Sequence, residues 1–320
     1  MQIIKDKNIL KYLKLLTFLF IFGYLVYQAN YNLNQIYEKL ESNFSNILVI
    51  VLLHIAYLNC VCLRMFLVFK IGLKKFLFYF KWMKLFFESL NMNFAASHTG
   101  TAYRAYVLKK NGVKYTDFLS FFYILFFSYL LSNLFFILIE LIYFLNGDLK
   151  LKIYYLIIVL FFFISFILLP KLILFLINFT KKIFSRKVFN YIYKLQSSIN
   201  LMFKHLIKNK DILKILFIFG FISHIFEISL FYLSFSIFNL EFSISTFIIL
   251  FAIFFILDRL PIIKDIPGFS EIIFATATIP FGFDFTFSFL TKFLLRFTGI
   301  LSSGFNYIFS LIAGYFLIKK

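Results

Sequence analysis

The stretch "FLSFFYILFFSYLLSNLFFILIELIYFL", from Phe118 to Leu145, carries a single charged side chain, Glu140. As a helix it is longer than the roughly 20 apolar residues that cross the hydrocarbon of a bilayer. Within lipid, a chain satisfies its own backbone hydrogen bonds only as helix or closed barrel. Comparable runs cover Tyr12 to Ala29, Ile47 to Phe69, Tyr154 to Phe179, Ile212 to Phe238, Thr246 to Leu257, Phe285 to Leu301 and Phe305 to Ile318. At 62% hydrophobic residues over 320 positions and a mean hydropathy of +0.92, the chain holds more apolar surface than one soluble core hides. The runs predict an all-α, polytopic integral membrane bundle of about eight transmembrane helices.

Lys and Arg number 33 against 14 Asp and Glu, for a net charge of +19. In a soluble chain such a balance points to nucleic acid. Here the cations stand between the apolar runs and read as topology signals, which excludes a nucleic-acid partner. The polar loop "NYNLNQIYEKLESN" then lies outside, and the Lys-rich segment Lys70 to Lys84 lies in the cytoplasm. So does "TKKIFSRKVFNYIYKLQSSINLMFKHLIKNKD", whose apolar spacing suggests a basic amphipathic helix on the membrane surface. Both termini are expected in the cytoplasm of a multi-pass protein of the inner membrane. "MQIIKDKNILKYLK" lacks a small-residue cleavage site after its apolar run and reads as a retained first helix. The expected organisation is one transmembrane domain over 1–320: a first half of about 1–180, the basic segment 181–210, and a second half of about 211–320.

Cys60 and Cys62 are two apart and point to different faces of a helix, so they do not bridge. The four histidines show no metal-ligand spacing, and no metal or other cofactor is expected. Gly-rich phosphate loops, a nucleophile elbow and H-E-x-x-H are absent, and no loop has room for a folded catalytic domain. An enzyme is not expected. The 23% aromatic content reads as coding bias rather than a ligand cage, since lipid-facing phenylalanine costs little where a helix meets acyl chains.

Two places break the pattern. "SHTGTAYRAYVLKKNG" sets breakers at Ser97 to Gly100, Arg104 one turn on, and a second breaker at Gly112. "DRLPIIKDIPGFSEIIFATATIPFG" does the same with Pro261 to Gly268, Glu271, and Pro280 to Gly282. This order predicts a broken or re-entrant helix in each of two weakly similar halves, with helix breaks at Gly100, Pro267 and Gly268. Transport proteins place ligands at such breaks.

An arginine within the bilayer costs about 2.5 to 3.5 kcal/mol on insertion scales, so Arg104 faces a partner or a wet cavity unless it sits at the interface. It reads either as a grip for a lipid phosphate or as an inside anchor beside Lys109, Lys110 and Lys114. Glu271 reads as a counter-charge for an arginine or as a helix N-terminal carboxylate. Lys292, Arg296, Gly299 and Ser303 fall on one face at helical spacing, a polar stripe in an apolar crossing. Gly220, His224, Glu227 and Ser234 form another, and Glu140 is polar on the third crossing. His224, Glu227 and Glu140 suit a proton or polar relay, or structural hydrogen bonds between helices.

In order, these features resemble the lysylphosphatidylglycerol synthase transmembrane-region family: a basic first helix, "SHTGTAYRAYVLKKNGVKYTDFLSFF", a basic amphipathic middle, "DIPGFSEIIF", and the late arginine of "FLLRFTG". The resemblance runs over roughly residues 10 to 318. It places the family's Gly-x-x-x-Arg element on Gly100 and Arg104, its Pro-Gly and Glu element on Pro267, Gly268 and Glu271, and its later arginine on Arg296. It implies lipid translocation without aminoacyl transfer. The resulting expectation is a flippase for a phosphate-bearing, anionic lipid, with Arg104, Arg296, Glu271 and Lys292 at the headgroup. The alternative is an enzyme or accessory subunit acting on polyprenyl-phosphate or glycolipid intermediates of the cell envelope. Expected partners are membrane lipids, either anionic phospholipid or glycolipid, together with a second copy of the chain or an envelope-biosynthesis protein.

Overall fold

The computed structural model describes residues 34–73, 78–95, 99–144, 210–257 and 268–318, with isolated positions 153, 157 and 197. The expected crossings at Tyr12 to Ala29 and Tyr154 to Phe179, the basic surface helix, Ser97, His98 and Pro267 lie outside the described residues.

Among the described residues the chain is helical, with no strand. In order come α1 (Phe44–Leu73), α2 (Tyr79–Ala95), α3 (Thr99–Lys110), α4 (Tyr115–Phe144), α5 (Lys210–Ile237), α6 (Ile244–Leu257), α7 (Phe269–Thr278) and α8 (Phe285–Ile318). Three stretches among them are long and apolar enough to cross a membrane: Phe44–Lys70, Lys210–Ile237 and Phe285–Tyr315. The chain divides into two compact units. Met1–His54 and Ile228–Ser302 make the first, Ile55–Glu227 and Ser303–Lys320 the second.

Burial along α8 inverts the pattern of a soluble helix. Thr291, Lys292, Thr298, Ser302, Ser303 and Asn306 are buried, while Phe293, Phe297, Ile300, Phe305, Ile308 and Phe309 are exposed. Apolar side chains outward and polar ones inward suit a helix whose solvent is lipid.

The core of the second unit forms around Trp82, which stacks on Phe69 at 5.0 Å and donates its indole N–H to the Cys62 carbonyl at 3.2 Å. Phe121 meets Phe69 edge-on. In the first unit, Phe231 gathers Phe235, Phe251, Phe254 and Phe274 with centroids between 4.8 and 5.9 Å. Such tilted and edge-on ring pairs add to the area they bury.

The turns follow from local chemistry. α3 ends in a Schellman motif: Gly112 takes φ 81°, its N–H bonds the Lys109 carbonyl, and the Val113 N–H bonds the Leu108 carbonyl. Leu108 and Val113 are both buried, giving the apolar contact that accompanies this motif. α5 ends the same way on Asn239 at φ 54°, a residue that tolerates the left-handed region, and this turn opens "NLEFS". Lys39 Nζ then donates to the Phe238 carbonyl at 2.7 Å, and Asn43 Nδ2 to that of Ile237 at 3.2 Å.

Two expectations are corrected. Phe285 to Leu301 and Phe305 to Ile318 are not two crossings broken at "SSG" but one helix of 34 residues, roughly 51 Å long at helical rise. The serines do not interrupt it, because Ser302 donates to the Val51 carbonyl and Ser303 to Asn91 Oδ1, leaving the backbone bonds to the helix. Residues 34–42, read as a polar loop, are helical. Part of the Lys70 to Lys84 segment is also helical: α2 begins at Tyr79 and buries Trp82 and Met83.

Candidate functional site

In the second unit, α3 is a 12-residue helix set against α2. Its first N–H groups are capped from α2, where Asn93 Oδ1 accepts from Gly100 N at 2.9 Å and from Thr101 N at 3.3 Å. Thr99 Oγ1 donates to the Met92 carbonyl. This satisfies donors that a helix start otherwise leaves open. Gly100 is required for closeness: a Cβ there would stand 1.5 Å from the Ser89 carbonyl oxygen. Gly100, the second residue of α3, is therefore the point where the two backbones meet.

That approach buries Arg104, which is 4% exposed, while Lys109 and Lys110 lie at the surface. Arg104 Nε and Nη2 both donate to Ser89 Oγ, the former at 2.9 Å, and Nη1 faces Met65 Sδ at 3.8 Å. The guanidinium also covers the Phe86 ring at 5.0 Å.

In the first unit, Gly268 takes φ 84° ahead of α7, and Glu271 is the third residue of that helix. Glu271 is 1% exposed; its Oε1 accepts from Arg296 Nη1 at 3.0 Å and its Oε2 from the Ser270 hydroxyl at 2.9 Å. Lys292, one turn before Arg296 on α8, is buried with Nζ 3.7 Å from the centre of the Phe254 ring. Glu271 and Arg296 thus form an ion pair, and Lys292 lies on the adjoining turn of α8. Thr298 Oγ1 lies 3.0 Å from His54 Nδ1, and Gly299 faces the same imidazole.

The second unit also holds the expected polar residues of α4 and α5. His224 Nε2 and Glu140 Oε1 are 2.9 Å apart, with Phe136 stacked on the imidazole. Glu227 Oε1 accepts from Tyr57 Oη at 2.7 Å and from Tyr129 Oη. Among the described residues no cluster of His, Cys, Asp and Glu suits a metal ion.

Several participants escaped the sequence reading. Ser89, Asn93 and Ser270 carry no local signature, since their roles arise from contacts made only on folding. Arg64, in "VCLRMF" on α1, is 4% exposed and could have been found by the argument applied to Arg104, a guanidinium inside an apolar run.

The family model described as Lysylphosphatidylglycerol synthase TM region matches residues 11–302. The match contains Gly100, Arg104, Glu271, Lys292 and Arg296. No curated protein and no solved structure matches the chain.

Proposed function

This chain belongs to the lysylphosphatidylglycerol synthase TM-region family, and from that premise we propose that it is a flippase: a transporter moving a phosphate-bearing, anionic lipid across the inner membrane. The family ties it to lipid handling in a membrane. The observation that supports the finer reading is the ion pair of buried Glu271 with partly buried Arg296, one turn from Lys292 on α8.

Arg296 and Lys292 set two cations one turn apart on α8, the first of them paired with Glu271. A headgroup phosphate competes with Glu271 for Arg296 and finds Lys292 one helical turn away. Glu271, once displaced, keeps the Ser270 hydroxyl and the positive end of α7, so the exchange does not strand a bare carboxylate. The carboxylate therefore serves as the resting counter-charge, and the phosphate replaces it during transport. Arg104 is an anion-holding group in the second unit, released from Ser89 when a phosphate oxygen takes the hydroxyl's place. His224, Glu140 and Glu227 line the polar interior of that unit. The termini face the cytoplasm, where the basic loops meet anionic headgroups.

The test is transfer of fluorescent phosphatidylglycerol between leaflets of vesicles containing the purified chain. Arg296→Ala and Arg104→Ala are expected to slow transfer about tenfold or more, the scale of one lost charge-assisted bond. Unchanged rates in both variants overturn the mechanism. A chemically altered lipid product would favour the enzyme reading instead.

A further inference from the structure

Arg64 lies within the apolar crossing of α1 and is 4% exposed, yet its Nε and Nη1 meet no acceptor among the described residues. Its guanidinium covers the ring of Tyr129, 4.7 Å from the centre. The hydroxyl of that same tyrosine donates to Glu227 Oε1, as does the hydroxyl of Tyr57. The carboxylate in this cluster is thus held by two phenols while the guanidinium faces an aromatic surface. On the same stretch of α1 and α5, Cys60 Sγ lies 3.8 Å from Ser223 Oγ, so the surroundings are mildly polar.

Arg104, by contrast, has a partner in Ser89 or Met65 for each of its three nitrogens. A guanidinium stays charged at any working pH, and buried charged donors without acceptors are costly, so they persist where a ligand supplies the acceptors.

We propose that Arg64, with Tyr57, Tyr129 and Glu227, forms an anion-binding site in the second unit that takes a phosphate-bearing group. Nε and Nη1 lie on different edges of the planar guanidinium, so the two-oxygen fork of one carboxylate does not meet both. A phosphate with adjoining ester or hydroxyl oxygens presents acceptors in more than one direction. Tyr129 stacks beneath the cation, the hydroxyls of Tyr57 and Tyr129 stand ready to turn toward an arriving oxygen, and Glu227 opposes the anion's charge. That opposition keeps the site exchangeable. The inference concerns binding alone and does not depend on transport.

The experiment measures binding of dihexanoyl phosphatidylglycerol, dihexanoylglycerol and inorganic phosphate to the full chain in neutral detergent, read by fluorescence of Trp82, the chain's one tryptophan. The phosphate lipid is expected to bind and dihexanoylglycerol not to. Arg64→Gln should weaken binding roughly tenfold and Arg64→Lys less. Glu227→Gln, which retains an acceptor for both phenols, should tighten it several-fold and gives a reading even where Arg64→Gln fails to fold. Competition by inorganic phosphate assigns the site to a free anion, and lack of competition to a lipid headgroup. Equal binding of the two lipids, or affinity unaltered in both folded Arg64→Gln and Glu227→Gln, overturns the proposal. A chain that binds at Arg64 but does not move lipid upholds this site and refutes the transport reading.

Discussion

Gly100→Ala is a one-methyl change with a large expected effect. The added Cβ would sit 1.5 Å from the Ser89 carbonyl oxygen, 2.5 Å from its carbon and 3.0 Å from Asn93 Oδ1. The first two are backbone atoms of α2 and cannot rotate aside. Restoring ordinary contact requires α3 and α2 to part by roughly 2 Å, which is overpacking of the kind that costs about 1 to 3 kcal/mol or more. The same movement lengthens the bonds from Gly100 and Thr101 to Asn93 and draws Arg104 off Ser89. Charge-assisted bonds of that type contribute about 1.5 to 3 kcal/mol each. A total loss of at least ~3 kcal/mol follows, and thermal unfolding in detergent should register a midpoint lower by roughly 5 °C or more. Gly304→Ala is the control, because a Cβ there meets nothing within 4 Å and alanine favours the helix by about 1 kcal/mol. A Gly100→Ala chain as stable as the parent would refute the close approach of α2 and α3, and with it the account of why Arg104 is buried.

Removing Arg296 alone, as Arg296→Met, leaves the 1%-exposed Glu271 without its cation and should destabilise by about 3 kcal/mol, somewhat less for the part of Arg296 that reaches the surface. Adding Glu271→Gln should recover most of that loss in chemical unfolding, and no recovery would show that the pair does not act as a unit. Asn93→Ala removes the acceptor for two N–H groups at the start of α3 and should cost about 0.5 to 2 kcal/mol. Asn93→Asp keeps that acceptor and should restore the midpoint.

Much of the fold was legible because lipid leaves a helix little alternative. Apolar runs fixed the positions of α1, α5 and α8, and the glycine and proline clusters marked the starts of α3 and α7. Misjudged elements had competing signals. "SSG" looked like a break, but Ser302 and Ser303 send their hydroxyls to neighbours and leave the α8 ladder intact. The "EKLESN" segment looked like solvent-facing loop, yet Lys39 and Asn43 are fastened to the end of α5.

The candidate site divides along the same line. Helical spacing alone puts Lys292 and Arg296 on one face of α8 and exposes Glu271 as a lone carboxylate in an apolar setting. Their pairing depends on α7 and α8 meeting, a contact between residues 25 apart in the chain that no local pattern encodes. Ser89 is further from view, because a serine becomes the partner of Arg104 only once Gly100 lets two helices touch. Arg64 was visible as a charge within an apolar run, but only its buried, unmatched N–H groups distinguish it from a helix-end anchor.

The most direct measurement of the central claim is the rate at which labelled phosphatidylglycerol crosses vesicles holding the purified chain, compared with protein-free vesicles. The account predicts protein-dependent transfer that Arg296→Ala and Arg104→Ala each slow about tenfold. Transfer no faster than in protein-free vesicles, or equally fast in both variants as in the parent chain, would contradict it.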